Sequence, residues 1–481
     1  MTAECDVEEV VTQFLLNTCR LRPRLTLTAA QAALRCAQVA AVQADDDDEV
    51  DLIPLTTGSL AEFYIEPMLP HVGDIDVMFY YNSTLAIPEG HPPPIQLPPE
   101  FHNHVQVFEI GDSHLPGYVY LELRYLVTEC VDDGKYNAVE YQYDGQIYAK
   151  NRSIWDGCDR LHGPAIVTVQ ENSSQLPTDC VRCVRCLVWP PQASAWPTRH
   201  RNYGWPDSAT VDRVVSNGCD VVGVAHRQCR QHELSGKCQW RLSFSRAEIL
   251  LINSWMPVQQ IVYHVLRVFM KTELLTDSAD NSGAGTLSNY HIKTLMLWAC
   301  ELKSRNWWID NLNFVRICVQ LLHILGDWLT DARCQHYFIN NCNLIDSSFN
   351  VTNIGIQLMS IDTTWLSTWF VDNYIWRCSK LCPDNISQLF DNISGSIKLQ
   401  NAVSAVIIWR QDKNTLLDTW AMFGFLYFRM TGYVHRVRLT ARLCACWMNE
   451  LAKVDSCPSV YFTTVAFLHV AYKSLKLHLH I

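Results

Sequence analysis

The sequence predicts an α+β protein with a mixed β-sheet in its first half and helices in its second. Three observations carry that prediction. Strand-type runs cluster between residues 52 and 240, helical periodicity takes over after Trp240, and two helical stretches precede the first strand. A chain of 481 residues exceeds one ordinary core, so two or three are expected. A content of 48% hydrophobic against 18% charged residues is the balance of a folded chain and excludes a disordered one.

The elements follow in order. Val7, Val10, Val11, Phe14 and Leu15 fall on one face of a helix over residues 5–19, and an Ala-rich helical stretch runs from Thr28 to Ala44. The acidic run Asp45–Glu49 reads as a solvated turn or linker, after which strand-like residues begin near Leu52. A Pro-rich loop occupies residues 87–99. Beyond it, Val105–Phe108 and Tyr118–Leu123 have strand composition, and Asp144-Gly145 between Tyr141–Tyr143 and Gln146–Tyr148 predicts a hairpin with a type I′ turn. Ala165–Val169 and Cys180–Val188 are further strands. Ser245-Arg246-Ala247-Glu248 has the spacing of a capping box before the apolar run Ile249–Ile252. Helical stripes follow at Ile292, Leu295, Met296, Ala299 and Cys300, and again at Phe314, Ile317, Cys318, Leu321, Leu322 and Leu325. The domains expected are N-terminal helices over 1–50, a core over 51–240, a helical lobe over 241–345 and a helical C-terminal extension over 346–481.

A net charge of −11 excludes indiscriminate nucleic-acid binding by the whole surface but leaves room for a local basic face. Eight Lys or Arg against four Asp or Glu between Arg199 and Arg246 supply such an excess, which a solvated surface would explain equally well. The residues after Met1 lack the basic and apolar regions of a signal peptide, so the twenty cysteines are expected as reduced thiols in a cytoplasmic protein. The Asn82 and Asn350 sequons would then go unused. No run reaches the roughly 20 apolar residues of a membrane span. Val460–Tyr472 and Trp420–Phe428 are too short, and the first contains His469.

The chemistry starts at Gly73-Asp74-Ile75-Asp76-Val77-Met78-Phe79. On a strand, Asp74 and Asp76 share a face, and two carboxylates so placed repel unless a cation lies between them. Hard divalent cations take such oxygen ligands and share them with phosphates. Gly58-Ser59 upstream lets backbone N–H groups and a hydroxyl approach a phosphate. Asp179 opens a later strand as a third acid, and Ser288-Asn289-Tyr290-His291 opens a helix whose N-terminus could face an anion and whose tyrosine could stack on a base. Together these point to two-metal phosphoryl or nucleotidyl transfer. A surface strand with solvated carboxylates, and a core aromatic at Tyr290, are the plainer alternatives. Cys180, Cys183 and Cys186 are no zinc site, because Cys183 faces opposite to the other two on a strand.

Gly58-Ser59, Asp74–Phe79, Asp179, Trp240-Arg241-Leu242-Ser243-Phe244-Ser245 and Ser288–Thr294 occur in the order seen in cyclic GMP-AMP synthase, and Tyr337-Phe338-Ile339 with Asn343-Leu344 looks like the end of its catalytic region. Over residues 5–345 the chain resembles the cGAS-like receptors of the wider Mab family. The resemblance implies a bilobal nucleotidyltransferase core related to DNA polymerase beta, two Mg²⁺ or Mn²⁺ ions, and two nucleoside triphosphates (ATP, GTP or UTP). It also implies a cyclic dinucleotide product serving innate immune, antiviral signalling. Asp74, Asp76 and Asp179 would be the catalytic metal ligands. Gly58 and Ser59 would hold a triphosphate, Arg241, Ser243 and Ser245 would contact the nucleotides, Ser288 would touch phosphate and Tyr290 would stack on a base. Arg267 stands about where a phosphate-binding lysine is expected. The family's vertebrate DNA sensors carry a His/Cys zinc loop after the segment matching Trp240–Glu248, whereas this chain has no cysteine between Glu248 and Tyr290. Double-stranded RNA is therefore the expected activator ahead of DNA, with no zinc. Two other functions stay open: a non-catalytic Mab-family binding or developmental protein, and a linear 2′–5′ oligonucleotide synthase.

Overall fold

The computed structural model describes residues 6–19, 52–58, 75–98, 101–130, 132–141, 147–151, 161–162, 165–168, 178–230, 232–273, 287–310, 312–345, 351–379 and 399–404. The Thr28–Ala44 stretch, the Asp144-Gly145 turn, Ser59, Asp74 and the two apolar runs after Trp420 lie outside them.

Helix α1 (Val7–Thr18) is N-capped by Asp6 and buries Val10, Val11, Phe14 and Leu15, as its periodicity requires. The strands are β1 (Leu52–Thr57), β2 (Ile75–Tyr81), β3 (Thr84–Pro88), β4 (His104–Asp112), β5 (Tyr118–Glu129), β6 (Tyr136–Glu140), β7 (Leu161–His162), β8 (Ala165–Thr168), β9 (Thr178–Cys186), β10 (Cys219–Val222) and β11 (Gln239–Ser243). They form one mixed sheet in the order β1-β2-β9-β10-β11-β5-β4-β3, and β3 also pairs with β9, so the path returns on itself. β9 is the shared member. Its first half pairs with β2 in parallel, and its second half pairs with β10 antiparallel and β3 in parallel. Tyr148 bridges Glu122 of β5 rather than extending a long hairpin strand.

Alternation along the strands produces two cores. Val184, Cys186, Val221, Trp240 and Leu242 face the helices in the large core. Cys183, Val222, Met78, Tyr80, Val105 and Val107 form a smaller core on the opposite face. Cys183 and Cys186 thus belong to different cores. The described cysteines are free thiols, most of them buried.

The helices are α2 (Ala195–Thr198), α3 (Ser208–Ser216), α4 (Glu233–Cys238), α5 (Ser245–Asn253), α6 (Pro257–Thr272), α7 (Asn289–Leu302), α8 (Arg305–Ile309), α9 (Phe314–Thr330), α10 (Thr352–Met359), α11 (Thr363–Trp369) and α12 (Trp376–Ser379). α6 is buried on every side from Val258 to Met270, the mark of a central helix. The stripes predicted on α7 and α9 are buried. The described start of the C-terminal extension packs on this lobe. Gly326 of α9 and Gly355 of α10 approach so closely that a Cβ on either would fall within 2.9 Å of the other's carbonyl oxygen. Between α11 and α12 the Tyr374 hydroxyl lies 3.1 Å from His264 Nε2 of α6 and 3.2 Å from Cys19 Sγ, just past α1. Among the described residues no helix is long and apolar enough to cross a membrane.

The capping box predicted at Ser245 does not form. Ser245 is the first residue of α5, its hydroxyl turns back to Ser243 at 3.1 Å, and Glu248 instead accepts a 2.7 Å hydrogen bond from Lys293 of α7. A buried carboxylate gains more from a cation than from a backbone amide.

Candidate active site

β2 and β9 run parallel with Asp76 opposite Asp179 as Cα partners. On the other side of β2, Thr57 of β1 is opposite Asp76. Three strands therefore converge at Asp76, and adjacent strands are spaced about 4.8 Å apart. The chain leaves β1 at Gly58 with φ +62°, a conformation that favours glycine. A Cβ there would overlap the Asp76 carboxylate and come within 2.7 Å of its Cγ. Glycine is thus required twice, for its backbone angle and for the room it leaves the acid. Two and four positions along β2, Met78 and Tyr80 are buried in the smaller core, whereas Asp76 is half-buried at its border.

β11 reaches the same face. The Ser243 hydroxyl is 3.1 Å from that of Ser245 and 3.8 Å from Met78 Sδ, so these two serines stand beside the strand that carries Asp76. Arg241, two residues earlier, is exposed and pairs in register with Tyr118 of β5 and Val222 of β10. Behind Ser243, in register with it, Asp220 is fully buried and accepts a 2.8 Å hydrogen bond from Arg246 Nε. Burial opposes the charge on Arg246, but Asp220 outweighs it and raises the Arg246 pKa. Arg185 of β9 donates to the Cys186 and Cys219 carbonyls at 2.6 Å and to that of Asn217, fixing β9 against β10.

The helical side presents Tyr290 and Ser288. Ser288 caps α7: its backbone N–H donates to His291 Nδ1 at 3.0 Å, and its hydroxyl lies 3.1 Å from the same nitrogen. The Tyr290 hydroxyl is 3.1 Å from His336 Nε2. His336 Nδ1 accepts from the Phe338 and Ile339 N–H groups at 3.0 and 3.1 Å, so in the neutral ring the proton is on Nε2 and is donated to Tyr290. Burial, then the nearby Arg241 charge, lowers the His336 pKa to about 3 and keeps it neutral. Burial, then Glu248, raises the Tyr290 pKa, so the phenol also stays neutral. The Lys293 ammonium stands 5.8 Å from the Tyr290 ring centroid and pairs with the buried Glu248.

The structure thus sets Gly58 against Asp76, places Asp179 in register with Asp76, brings Ser243 and Ser245 together with Ser243 beside Met78 of the same strand, and gives Tyr290 and Arg241 the common neighbour His336. Arg267 is elsewhere: it is 5% exposed on α6, its guanidinium 5.7 Å from the Tyr263 ring, enclosed by the helical lobe. Sequence reading missed His336, Glu248 and Lys293 as site-forming residues. Lys293 lies inside the quoted Ser288–Thr294 motif and His336 adjoins Tyr337–Ile339, but their partners are 45 and 46 positions distant in sequence. The basic stretch also shrinks on folding, since Arg199 and Arg201 pair with Glu301 and Arg246 pairs with Asp220.

A divalent cation fits the donor chemistry at Asp76 and Asp179, acidic residues at facing positions of neighbouring strands. Among the described residues no cluster of three or more potential ligands is gathered, Asp74 lying outside them.

Residues 112–254 match the Mab-21 protein nucleotidyltransferase domain, and residues 259–359 match the Mab-21 protein HhH/H2TH-like domain. Protein mab-21-like 3 of Danio rerio is 26% identical over 187 residues, 38% of this chain and 43% of the relative. Protein mab-21-like of Aedes aegypti is 29% identical over 160 residues, 33% of this chain and 40% of the relative. The matched segment thus spans less than half the length of each of these curated relatives. By the two adjoining domains it carries, a nucleotidyltransferase domain followed by a helical one, the chain belongs to the Mab-21 family.

Proposed function

We propose that the protein is a nucleotidyltransferase that joins two nucleoside triphosphates into a cyclic dinucleotide with the aid of two divalent cations, Mg²⁺ or Mn²⁺. The observation that carries this reading is the register of β2 against β9, which sets Asp179 opposite Asp76 where Gly58 has left space for a carboxylate. Nothing in the packing of a pure scaffold calls for two acids at facing positions of neighbouring strands. Asp76 and Asp179, with Asp74, would hold the cations. When bound, these supply acidity to an attacking ribose hydroxyl and neutralise charge on a departing pyrophosphate.

This chain's own groups orient the reactants. Gly58 and Ser59 would receive a triphosphate. Ser243 and Ser245, one hydroxyl pair braced by Arg246–Asp220, would donate to nucleotide oxygens. Arg241 would contribute its exposed charge, and Ser288 would meet a phosphate at the α7 N-terminus. Tyr290, its phenol held by neutral His336, would offer a ring fixed for stacking. Positioning of this kind supplies much of the barrier reduction in phosphoryl transfer. Arg267 would join in only if the helical lobe opened around it.

The proposed trigger is double-stranded RNA, supported by the exposed Arg213, Arg227, Arg230 and Lys237, which remain once the buried arginines are set aside. An immune signalling role in the cytoplasm follows from that trigger. Incubating the protein with the four triphosphates, Mg²⁺ or Mn²⁺, and double-stranded RNA or DNA, then identifying products by mass and by linkage-specific nuclease digestion, tests the whole reading. A cyclic product dependent on RNA and falling steeply with salt is expected. A linear product would replace cyclisation by oligonucleotide synthesis, and no product with any polymer would leave a non-catalytic family member.

A further inference from the structure

Eleven residues beyond Tyr290, near the other end of α7, Glu301 is 2% exposed, receives two donors and lies beside a second arginine. Its Oε2 accepts from Arg199 Nη2 at 2.8 Å and from the Tyr337 hydroxyl at 2.7 Å, with Arg201 Nε at 3.7 Å. The Arg199 guanidinium lies 4.4 Å from the Trp298 ring centroid and 4.7 Å from that of Tyr337, and its Nη1 donates to the Tyr337 carbonyl at 3.0 Å. Arg201 is bound to the Trp196, Pro197 and Arg199 carbonyls and lies 4.9 Å from the Trp196 ring. Trp298 Nε1 donates to the Gln335 carbonyl at 2.9 Å.

The connections matter more than the count. Arg199 and Arg201 follow β9, the strand of Asp179, in the nucleotidyltransferase domain, while Glu301 and Tyr337 belong to the helical domain. Tyr337 is the neighbour of His336, whose Nε2 holds the Tyr290 phenol. One carboxylate therefore ties the segment after β9 both to α7, which carries Tyr290, and to the turn that orients it. Arg199, Arg201 and Tyr337, the partners of Glu301, are none of the residues assigned to nucleotides. We infer that Glu301 is a positioning residue: it locks the Tyr290–His336 wall at a fixed distance from the β2–β9 strands, and so sets the affinity of the cleft for a nucleoside triphosphate. This inference rests on the function proposed above.

The test uses the full chain, with Glu301→Gln as the principal variant and Tyr337→Phe as a milder one in case the first does not fold. Titration with a fluorescent ATP analogue reads affinity, thermal melting reads stability, and hydrogen exchange at the Phe338 and Ile339 amides, both bonded to His336 Nδ1, reads the wall. The expected result is a roughly tenfold loss of affinity for Glu301→Gln, a smaller loss for Tyr337→Phe, and faster exchange at those amides in both. If turnover is detected, the loss appears in KM with kcat nearly kept. Unchanged affinity and unchanged exchange in a folded variant overturn the inference, whatever happens to the melting temperature. If the wild type binds no triphosphate, the proposed function fails. Exchange then decides the remainder: acceleration at Phe338 and Ile339 keeps the lock, and no acceleration removes it.

Discussion

The strand side and the helical side of the candidate site, called its two walls, are built on opposite physical plans. The strand side sets Asp76 at the border of a small core, where it keeps partial contact with solvent and is in register with Asp179 of β9. The helical wall is made of groups that burial keeps neutral, with His336 and Tyr290 bonded to each other and the charge of Glu248 cancelled by Lys293. Acids at facing positions of neighbouring strands are the donor type that a hard cation takes. The helical wall is already satisfied, and offers shape. The proposed function would use both plans, the strand side for metal-bound phosphates and the helical side for a flat base.

The sharpest way to break this contrast is Asp76→Asn. The substitution is nearly isosteric, so the fold should persist while turnover falls by roughly a thousandfold or more. Added Mn²⁺ should raise the melting temperature of the wild type and leave that of the variant unmoved, because a ligand stabilises only the state that binds it. Equal stabilisation of both proteins would detach the cation from Asp76. Gly58→Ala attacks the same wall through the backbone. It forces a side chain into φ +62° and onto the Asp76 carboxylate, so a cost of at least about 2 kcal/mol is expected together with loss of activity. Denaturant melting that matches the wild type would mean the β1–β2 junction yields more easily than its geometry indicates.

Acid should distinguish the walls next. Burial, then Arg267 for His264 and Arg241 for His336, lowers both histidine pKa values to about 3, whereas an unfolded histidine titrates near 6.5. The folded pKa values lie below the unfolded one, so their contribution is complete above about pH 6.5. It is lost progressively as pH falls towards 3. In that window each histidine should cost about 1.4 kcal/mol of stability per pH unit. Urea midpoints from pH 7 to pH 4 measure this slope. His264→Phe should remove one share of it, and a flat profile would show that water reaches both rings.

How much of this was legible beforehand differs between the walls in the same way. Asp74-Ile75-Asp76 declares itself locally, because two acids alternating with apolar residues in a strand-type run fall on one face. The strand-like residues from near Leu52 and the helical stripes of α7 and α9 were also readable, since period and composition are properties of short windows. What was not readable is anything fixed by register or by a distant partner. Glu248 resembled a helix cap until Lys293, 45 residues on, claimed its carboxylate. Arg199, Arg201 and Arg246 read as surface charge until Glu301 and Asp220 drew them into half-buried ion pairs. His336 carried no motif at all, and only the Tyr290 hydroxyl at 3.1 Å marks its role.

Tyr290→Phe is the gentlest probe and the most discriminating for the helical wall. It keeps the ring that would stack on a base and removes only the hydroxyl, leaving His336 Nε2–H buried beside a phenyl edge. The stability cost should be about 1–2 kcal/mol, the penalty for an unpaired buried donor. If the wall acts by holding the ring at a set angle, triphosphate affinity should fall a few-fold, because the ring is present but untethered. Tyr290→Leu should fall further by losing the stacking face as well, worth about 1–3 kcal/mol per base. Phe equal to the wild type with Leu impaired would assign the work to the ring alone and make the His336 tether a matter of folding. Leu equal to the wild type would remove the base from this wall, leaving the strand wall to bind its nucleotide through phosphate and cation.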